Sequence, residues 1–510
     1  MPDPSGRLFQ VLLTAKEAYP ALEAQFLQAE REVVAGFRVF DPHTRLRSDA
    51  ARAVGDTWFD LIGHTLGRGV RITLILTDFD PVVRPEMHKY TWECVRGLLA
   101  AGEAAGRAEL LSVRASMHPA RVGWLPRLLL WPRLLKEMRA AHNAAQDAAG
   151  PDEDTMKRMP RLRAMFRRST DGYVPKLRLP DLVPVTHHQK LAVFDRARLY
   201  IGGLDLNDRR YDTLEHARPA EETWHDVQVL VDGPVAQEAA DHLAHFEDIT
   251  QGAPPHRTVH LMRTISAKRR FAAPHLSPKP VVDELSQLHH DQIAQAQHLI
   301  YFETQFFRDT RLAEAAAARA QDCPNLSMIL ILPAAPEDAA FDDNPSSDVA
   351  YGEHMQAKSV RILRDGFGAR LFVGSPAQPR ATAPNGRATH FGAPIIYLHA
   401  KVSIFDDRCG VVSSANMNGR SMSWDTEAGI ATQTPDEVAQ LKQRCFDHWL
   451  GADAGPEFYD VSTACAAWAA RAADNAHRAP AARQGYVLPY LTAPAEELAR
   501  NLPGVPDEMV

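Results

Sequence analysis

At 510 residues the chain is too long for one ordinary hydrophobic core, so two lobes of about 200–250 residues, or one large composite unit, are expected. Hydrophobic residues at 45% and charged residues at 24% exclude a disordered or fibrous class, and a net charge of −7 excludes a global attraction to nucleic acid or anionic lipid, leaving only local patches to supply one. The five cysteines (Cys94, Cys323, Cys409, Cys445, Cys465) are scattered and lack a C-x-x-C pair, which argues against a disulfide framework or a cysteine zinc site and fits a reducing compartment.

Near the N-terminus, the apolar stretch from Leu8 to Leu13 is broken by Gln10 and is too short for a secretory signal, so no Sec-type signal is expected. No window holds 18 consecutive apolar residues, so membrane contact is expected to be peripheral. FLQAEREVVAGFRVFDP reads as a helix feeding a strand, and TWFDLIGHTLGRGVRITLILTDFDP repeats that order. From Trp124 to Arg168 the pattern is interrupted by an amphipathic WLPRLLLWPRLLKEMRAAHNAA and six basic residues between Lys157 and Arg168. Its two tryptophans and many leucines suit a membrane interface or a packed helical hairpin. The basic run suits a solvated face or recognition of an anionic headgroup or nucleic acid. A Pro-rich and basic stretch at about 251–280 reads as the lobe junction. Beyond it, LHHDQIAQAQHLIYFETQFF and CPNLSMILILPAAPED return to helix and strand, and the Pro-rich segment after Arg478 reads as an irregular tail. The expected organisation is therefore a first lobe over 1–255 with an insertion at about 120–180, a linker over 256–280, a second lobe over 281–478 and a tail over 479–510.

Two segments repeat one motif, His-x-Lys-x4-Asp: His188/Lys190/Asp195 in HHQKLAVFD and His399/Lys401/Asp406 in LHAKVSIFD. In a strand, alternate side chains share a face, so His188 joins Lys190 and His399 joins Lys401, while His187 points the other way. Such a motif arises by chance at about 1 in 8000 positions with equal residue usage, so two copies are not coincidence. The flanks match too. Each Asp is followed after six residues by a small-residue tetrad, Gly202-Gly203-Leu204-Asp205 and Ser413-Ser414-Ala415-Asn416. Lobes related by a pseudo-two-fold would bring the two motif strands together at the axis, so that one chain holds a complete site.

Those residue types suit phosphodiester chemistry. A phosphodiester's negative charge repels anionic nucleophiles, so two lysines would clamp its oxygens and stabilise the charge gathering in the transition state. A neutral imidazole can attack phosphorus while a second, protonated one donates to the departing oxygen. Asn416 can donate to a phosphate oxygen, whereas Asp205 cannot unless protonated. Asp195 and Asp406 fall at strand ends, where they are expected to anchor turns or the lysines. Elsewhere, His289, His290, Asp291 and His298 form a His-rich stretch, and His242-x-x-His245 shares a helical face. No Cys or Glu set partners them, so they read as solvated or capping histidines; no metal and no cofactor is expected.

The blocks HHQKLAVFD, GGLDLNDRRYDT and WHDVQVLVDGP, and then LHAKVSIFDD and SSANMNGRSMSWDTE, resemble the two active-site blocks of the phospholipase D superfamily. The likeness runs more weakly through FRVFDP near Asp41 and YFETQFF around Glu303. Ser413 stands where that family more often has Gly, a small-for-small change. The resemblance implies two similar α/β lobes, each a mixed sheet flanked by helices, with the active site at their interface. It implies catalytic roles for the motif residues His188, Lys190, Asp195, His399, Lys401 and Asp406, with His188 as nucleophile and His399 as general acid. Asp226 and Glu427, each following its motif, would orient the imidazoles, with Ser414, Asn416 and Asp205 in support. The expected reaction is cleavage of a phosphatidylcholine-like phospholipid to phosphatidic acid and an alcohol. The alternatives are a cardiolipin synthase-like phosphatidyltransferase, a nuclease, and, disfavoured by the intact motifs, a silent lipid-binding scaffold. A monomer acting in the cytoplasm or at a membrane surface is expected, with export by a signal-independent route as the other possibility.

Overall fold

The computed structural model describes residues 7–129, 136, 157–169, 172–176, 180–341, 347–501 and 506–509. Strands β1 (Phe9–Leu13), β2 (Glu32–Phe37), β3 (Arg71–Thr77), β4 (Leu111–Ser116), β7 (Leu191–Phe194), β8 (Arg198–Gly202) and β9 (Val227–Asp232) form one sheet, in the order β1-β9-β8-β7-β2-β3-β4. Between them, β5 (Phe166–Ser169) and β6 (Gly172–Pro175) make a separate hairpin, and later β15 (Thr389–His390) and β16 (Ala393–Pro394) make another. The second sheet contains β10 (Leu261–Ala267), β11 (Lys279–Asp283), β12 (Leu299–Thr304), β13 (Ser327–Ile331), β14 (Leu371–Pro376), β17 (Lys401–Phe405), β18 (Cys409–Ser413), β19 (Glu427–Thr432) and β20 (Val487–Pro489). Its order is β11-β10-β19-β18-β17-β12-β13-β14-β20.

Without the edge strands β11 and β20, the two orders superpose strand for strand. Each sheet runs through four antiparallel pairings and then two parallel ones. The parallel pairs require crossover connections, and helices supply them. Helix Trp58–Gly67 connects β2 to β3, and Thr310–Asp322 connects β12 to β13. The first starts where the Asp60 carboxylate accepts from the Thr57 amide at 3.0 Å; the second starts where Asp309 accepts from Arg311 and Leu312. Strands β12 and β13 are buried along their whole length and read YFET- and MILI-like rather than alternating, as strands covered on both faces do.

The sheets pack on each other rather than standing apart. One buried cluster joins Leu191, Ile201 and Val229 of the first sheet to Leu398, Val402, Val412 and Ile430 of the second, with Phe446 and Trp449 of helix Pro435–Leu450 beside them. The halves therefore share a core, which fixes the two motif strands relative to each other. Among the described residues, no helix is long and apolar enough to cross a membrane.

Three segments differ from expectation. The stretch expected to link the lobes, 256–280, supplies β10 and part of β11. Arg263 masked the strand: it is buried, and Glu284 Oε1 neutralises it at 2.8 Å. The tail expected to be irregular over 479–510 contributes β20 and helix Ala493–Leu498. A three-residue strand ending in Pro is too short to show periodicity. Within the insertion, helix Pro160–Ala164 is tied down by Arg161, whose Nε lies 2.6 Å from Asp78 Oδ2 at the end of β3. The second half of WLPRLLLWPRLL and the Ala-rich segment after it lie outside the described residues.

Candidate active site

Each motif strand begins only after its histidine: β7 at Leu191, just past Lys190, and β17 at Lys401 itself. The residues just before are extended, but they pair across the pseudo-two-fold instead of within their own sheet. The His188 and Gln189 amides donate to Thr426 O at 2.8 and 2.9 Å, and the His399 amide donates to His225 O at 2.7 Å. The partner residues are Thr426 and His225, and each immediately precedes an acidic residue, Glu427 and Asp226. The backbone pairing therefore delivers each carboxylate to the opposite half's histidine. Glu427 Oε1 lies 2.9 Å from His188 Nδ1, and Asp226 Oδ2 lies 2.6 Å from His399 Nδ1. Where the carboxylate is ionised it only accepts, so Nδ1 of that ring carries the proton and Nε2 keeps its lone pair for chemistry; Lys401 Nζ also lies 3.0 Å from His399 Nδ1.

Lys190 and Lys401 are fully buried, and their ammonium groups donate to the carbonyl oxygens of His188 and His399 respectively. Burial pulls both lysines below the ordinary ammonium range, Lys401 to about 7. Burial also raises Asp226 to about 7 and Glu427 to about 8, against the pull of Lys401 on the first and Lys190 on the second. Both imidazoles are held well below the usual histidine range, by burial first and then by the neighbouring lysines and arginines. Two cations, two carboxylates and two neutral imidazoles thus share one water-poor space. An ordinary core would not pay to bury such a set.

Ser414 hydroxyl donates to Glu427 Oε2 at 2.5 Å, and its carbonyl lies 3.1 Å from His188 Nδ1. Asn416 is buried, and its Oδ1 has no hydrogen-bond partner. Asp205 is spent on the backbone, accepting from the Val39 amide at 3.0 Å. Asp195 and Asp406, expected among the catalytic groups, do not enter the site. Asp195 accepts from the amides of Glu30, Arg31 and Glu32 at 2.8–2.9 Å, and Asp406 from those of Gln297, His298 and Leu299 at 2.8–3.1 Å. Both have φ of 52° and terminate their strands at the end away from the histidines. The physical reason is local: a carboxylate at a left-handed turn caps the three amides of the neighbouring chain.

Several site residues had no sequence motif to mark them. Trp224 packs its ring against His399 at a centroid distance of 4.5 Å, and Arg210 stacks on the Trp224 ring at 3.6 Å. Arg38 is half-buried and lies close enough to Asp205 and His188 to act on both electrostatically. Trp224 was legible as the residue two before Asp226; Arg38 and Arg210 carried no signal beyond their charge. Of the histidines weighed as metal ligands, His289 is hydrogen-bonded at both nitrogens and His242 at one. His289 has Leu285 O at 2.7 Å and Ser403 Oγ at 2.9 Å on its two nitrogens, and His242 Nε2 lies 2.5 Å from Gln189 Oε1.

The crossed His–carboxylate pairs and two buried lysines gather both motifs in one place, and the chain is similar to proteins described as PLD-like or named phospholipase D. A family model described as "Cardiolipin synthase, PLD-like domain" matches residues 289–449, which hold the second motif. Phospholipase D1 of Saccharomyces cerevisiae is 22% identical over 358 residues, covering 52% of this chain and 21% of that protein. Phospholipase D alpha 1 of Oryza sativa subsp. japonica is 22% identical over 363 residues, covering 48% of this chain and 45% of that protein. The chain thus spans less than half the length of these relatives. The crystal structure of phosphatidylserine synthase from Haemophilus influenzae Rd KW20 covers 86% of this chain and 87% of its own at a TM-score of 0.50 and 12% identity, a likeness of fold.

Proposed function

We propose that the protein is a phospholipase D-type phosphodiesterase that cleaves a phosphatidylcholine-like phospholipid to phosphatidic acid and a free alcohol, with transfer to an alcohol acceptor as the accompanying reaction. The observation that carries this reading is the crossed pair of hydrogen bonds, Glu427 to His188 and Asp226 to His399, which turns two Nε2 atoms toward one space flanked by Lys190 and Lys401.

His188 Nε2 attacks phosphorus, and the bond from phosphorus to the headgroup oxygen breaks as His399 passes its Nε2 proton to that oxygen. His399, now neutral, takes a proton from water or an acceptor alcohol, whose oxygen attacks phosphorus and displaces His188. The lysines hold the non-bridging oxygens, and Asn416 turns its amide toward one of them. In the free site both imidazoles are neutral. A bound phosphodiester anion offsets the lysine field, and Asp226 supports the imidazolium on His399.

An apolar surface supports a lipid substrate and peripheral membrane contact. Trp124, Leu125 and Leu128 of helix Trp124–Leu129 are 50%, 43% and 53% exposed, and Phe271 is 72% exposed on the loop whose Ala273 carbonyl accepts from the Leu125 amide. Such rings and leucines suit the headgroup boundary of a bilayer. The second reading, a phosphatidyltransferase, is favoured by the family model's description and the phosphatidylserine synthase fold. The test is to offer phosphatidylcholine, phosphatidylcholine with a primary alcohol, and single-stranded DNA to the purified protein in separate incubations with chelator present. Phosphatidic acid as the main product of the first supports hydrolysis. Turnover only when an alcohol is supplied supports transfer, and cleavage of DNA but not lipid overturns both.

A further inference from the structure

His225 and Asp226 are neighbours in one extended segment, so their side chains leave it on opposite sides. Asp226 holds His399, whereas His225 packs against the rings of His448 and Trp449 on helix Pro435–Leu450, at centroid distances of 4.4 and 4.3 Å. His216 completes a cluster there: His216, His225 and His448 each present a ring nitrogen, and the three nitrogens all lie within 4.8 Å of one another. Their ring centroids are 5.6, 5.1 and 4.4 Å apart. Three imidazoles radiating tetrahedrally from an ion at about 2.0–2.1 Å place their centroids about 5 Å apart.

On His216 and His225 a carboxylate lies beside the nitrogen that faces away from the cluster. Asp212 Oδ2 lies 2.6 Å from His216 Nδ1, and Glu303 Oε1 lies 2.8 Å from His225 Nε2. A carboxylate on the outer nitrogen is what fixes the tautomer and raises the basicity of a metal-bound histidine. It leaves His216 Nε2 and His225 Nδ1 to face inward. Among the described residues neither nitrogen of the buried His225 ring makes a hydrogen bond, and His216 Nε2 stands 2.9 Å from His448 Nε2, where one ring can donate to the other. Asp212 and Glu303 are fully buried as well, so the cluster holds two carboxylates opposite imidazoles. A doubly charged cation balances that charge, replaces the His216–His448 hydrogen bond and gives His225 Nδ1 the partner it lacks.

We propose that His216, His225 and His448 bind one divalent transition-metal ion of the zinc type, with Asp212 and Glu303 holding the outer nitrogens of His216 and His225. Three imidazoles favour such an ion over Ca²⁺ or Mg²⁺, which take oxygen ligands. His448 is half-buried and opens the route from solvent. The ion is separate from the phosphodiester chemistry. It joins His216 and His225 of the first half to His448 of the second, and it braces the segment in which the His225 amide donates to Tyr397 O at 2.8 Å and the His225 carbonyl accepts from His399.

The test uses the full chain stripped with chelator and then titrated with Co²⁺, whose visible absorption reports a tetrahedral nitrogen site. Saturation at about one equivalent, with displacement by Zn²⁺, is expected. His216→Ala and His448→Ala should each weaken binding by at least about tenfold, whereas His245→Ala, on the exposed side of its helix, should not. Zn²⁺ should raise the Tm of the wild-type chain and leave that of His448→Ala unchanged. If His216→Ala does not fold, as judged by circular dichroism, the half-buried His448→Ala decides. No saturable Co²⁺ spectrum, or a spectrum that survives His448→Ala, overturns the proposal whatever the lipid activity proves to be.

Discussion

In the first half the loop after β8 runs Gly203-Leu204-Asp205; in the second, the loop after β18 runs Ser414-Ala415-Asn416, at matching positions of matching strands. A Cβ on Gly203 would meet Asp226 Oδ1 at 2.3 Å, so that position must be bare for the short aspartate to press against His399. On the other side the longer Glu427 reaches His188, and the Ser414 hydroxyl bonds its second oxygen at 2.5 Å. Two positions on, Asp205 is tied to the backbone whereas Asn416 keeps a free Oδ1. Duplication supplied one scaffold twice, and small substitutions around it made the two imidazoles inequivalent. Inequivalence is what a two-step reaction with one nucleophile and one acid requires.

The largest expected effect separates those two roles. On a natural lipid, His188→Ala and His399→Ala should each lower kcat by about 10²–10⁴-fold or more. On a nitrophenyl phosphodiester, whose leaving group departs without a proton, His399→Ala should recover most of its first step and accumulate phosphate on His188. Mass spectrometry of the trapped variant reads this out, and an adduct on His399 of the His188→Ala variant instead would reverse the assignment. Next, Lys190→Met and Lys401→Met should each cost about 10²–10³-fold in kcat/KM. Each should also lower the Tm, because removing one buried cation leaves Asp226 or Glu427 without its counter-charge.

Ser414→Gly makes the second half resemble the first. The loss of one hydrogen bond to Glu427 should cost about tenfold in turnover and leave the fold intact. The carboxylate of the other half offers a pH test. Burial raises Asp226 to about 7, above its unfolded value, so the folded state holds a proton that the unfolded chain has released. Its contribution to stability is therefore full at low pH and lost as pH rises from about 4 through 7. Asp226→Asn should remove that part of the slope, seen as a wild-type-minus-variant difference in Tm that shifts in this direction across the window. A flat difference would mean that Asp226 titrates as an ordinary exposed acid.

The motif lines His188-x-Lys190 and His399-x-Lys401 and the small residues after each strand were legible because they repeat at matched spacing. The fold class followed from helix–strand alternation. The crossing of Glu427 and Asp226 to opposite halves was not legible. It depends on backbone pairing of Thr426 with His188 and of His225 with His399, contacts between residues far apart in sequence that leave no local pattern. Arg263 misled for a similar reason: its partner Glu284 lies in another element, so a basic residue in a strand read as part of a linker. His216, His225 and His448 leave no local pattern, unlike the adjacent His289-His290 pair, because their cluster forms only when distant elements pack together.

The smallest expected effect on turnover belongs to the third letter of each motif, and it tests how far motif membership implies chemistry. Asp195 accepts three backbone amides from Glu30, Arg31 and Glu32, and those hydrogen bonds outweigh burial to hold its carboxyl below the usual range. Asp406 makes the same cap in the second half. Asp195→Asn or Asp406→Asn keeps the size but replaces one acceptor oxygen with a donor facing the amides, which should cost about 1–2 kcal/mol of stability. Because the folded carboxyl of Asp195 is depressed, its contribution is present above about pH 4 and lost as pH falls below it. The Tm deficit of Asp195→Asn should therefore shrink in acid, while kcat at neutral pH stays within about twofold of wild type at temperatures where the fold holds. A large loss of kcat without loss of Tm would place Asp195 in the reaction after all, and would mean that the lysines are positioned through the strand end and not only through the carbonyls of His188 and His399.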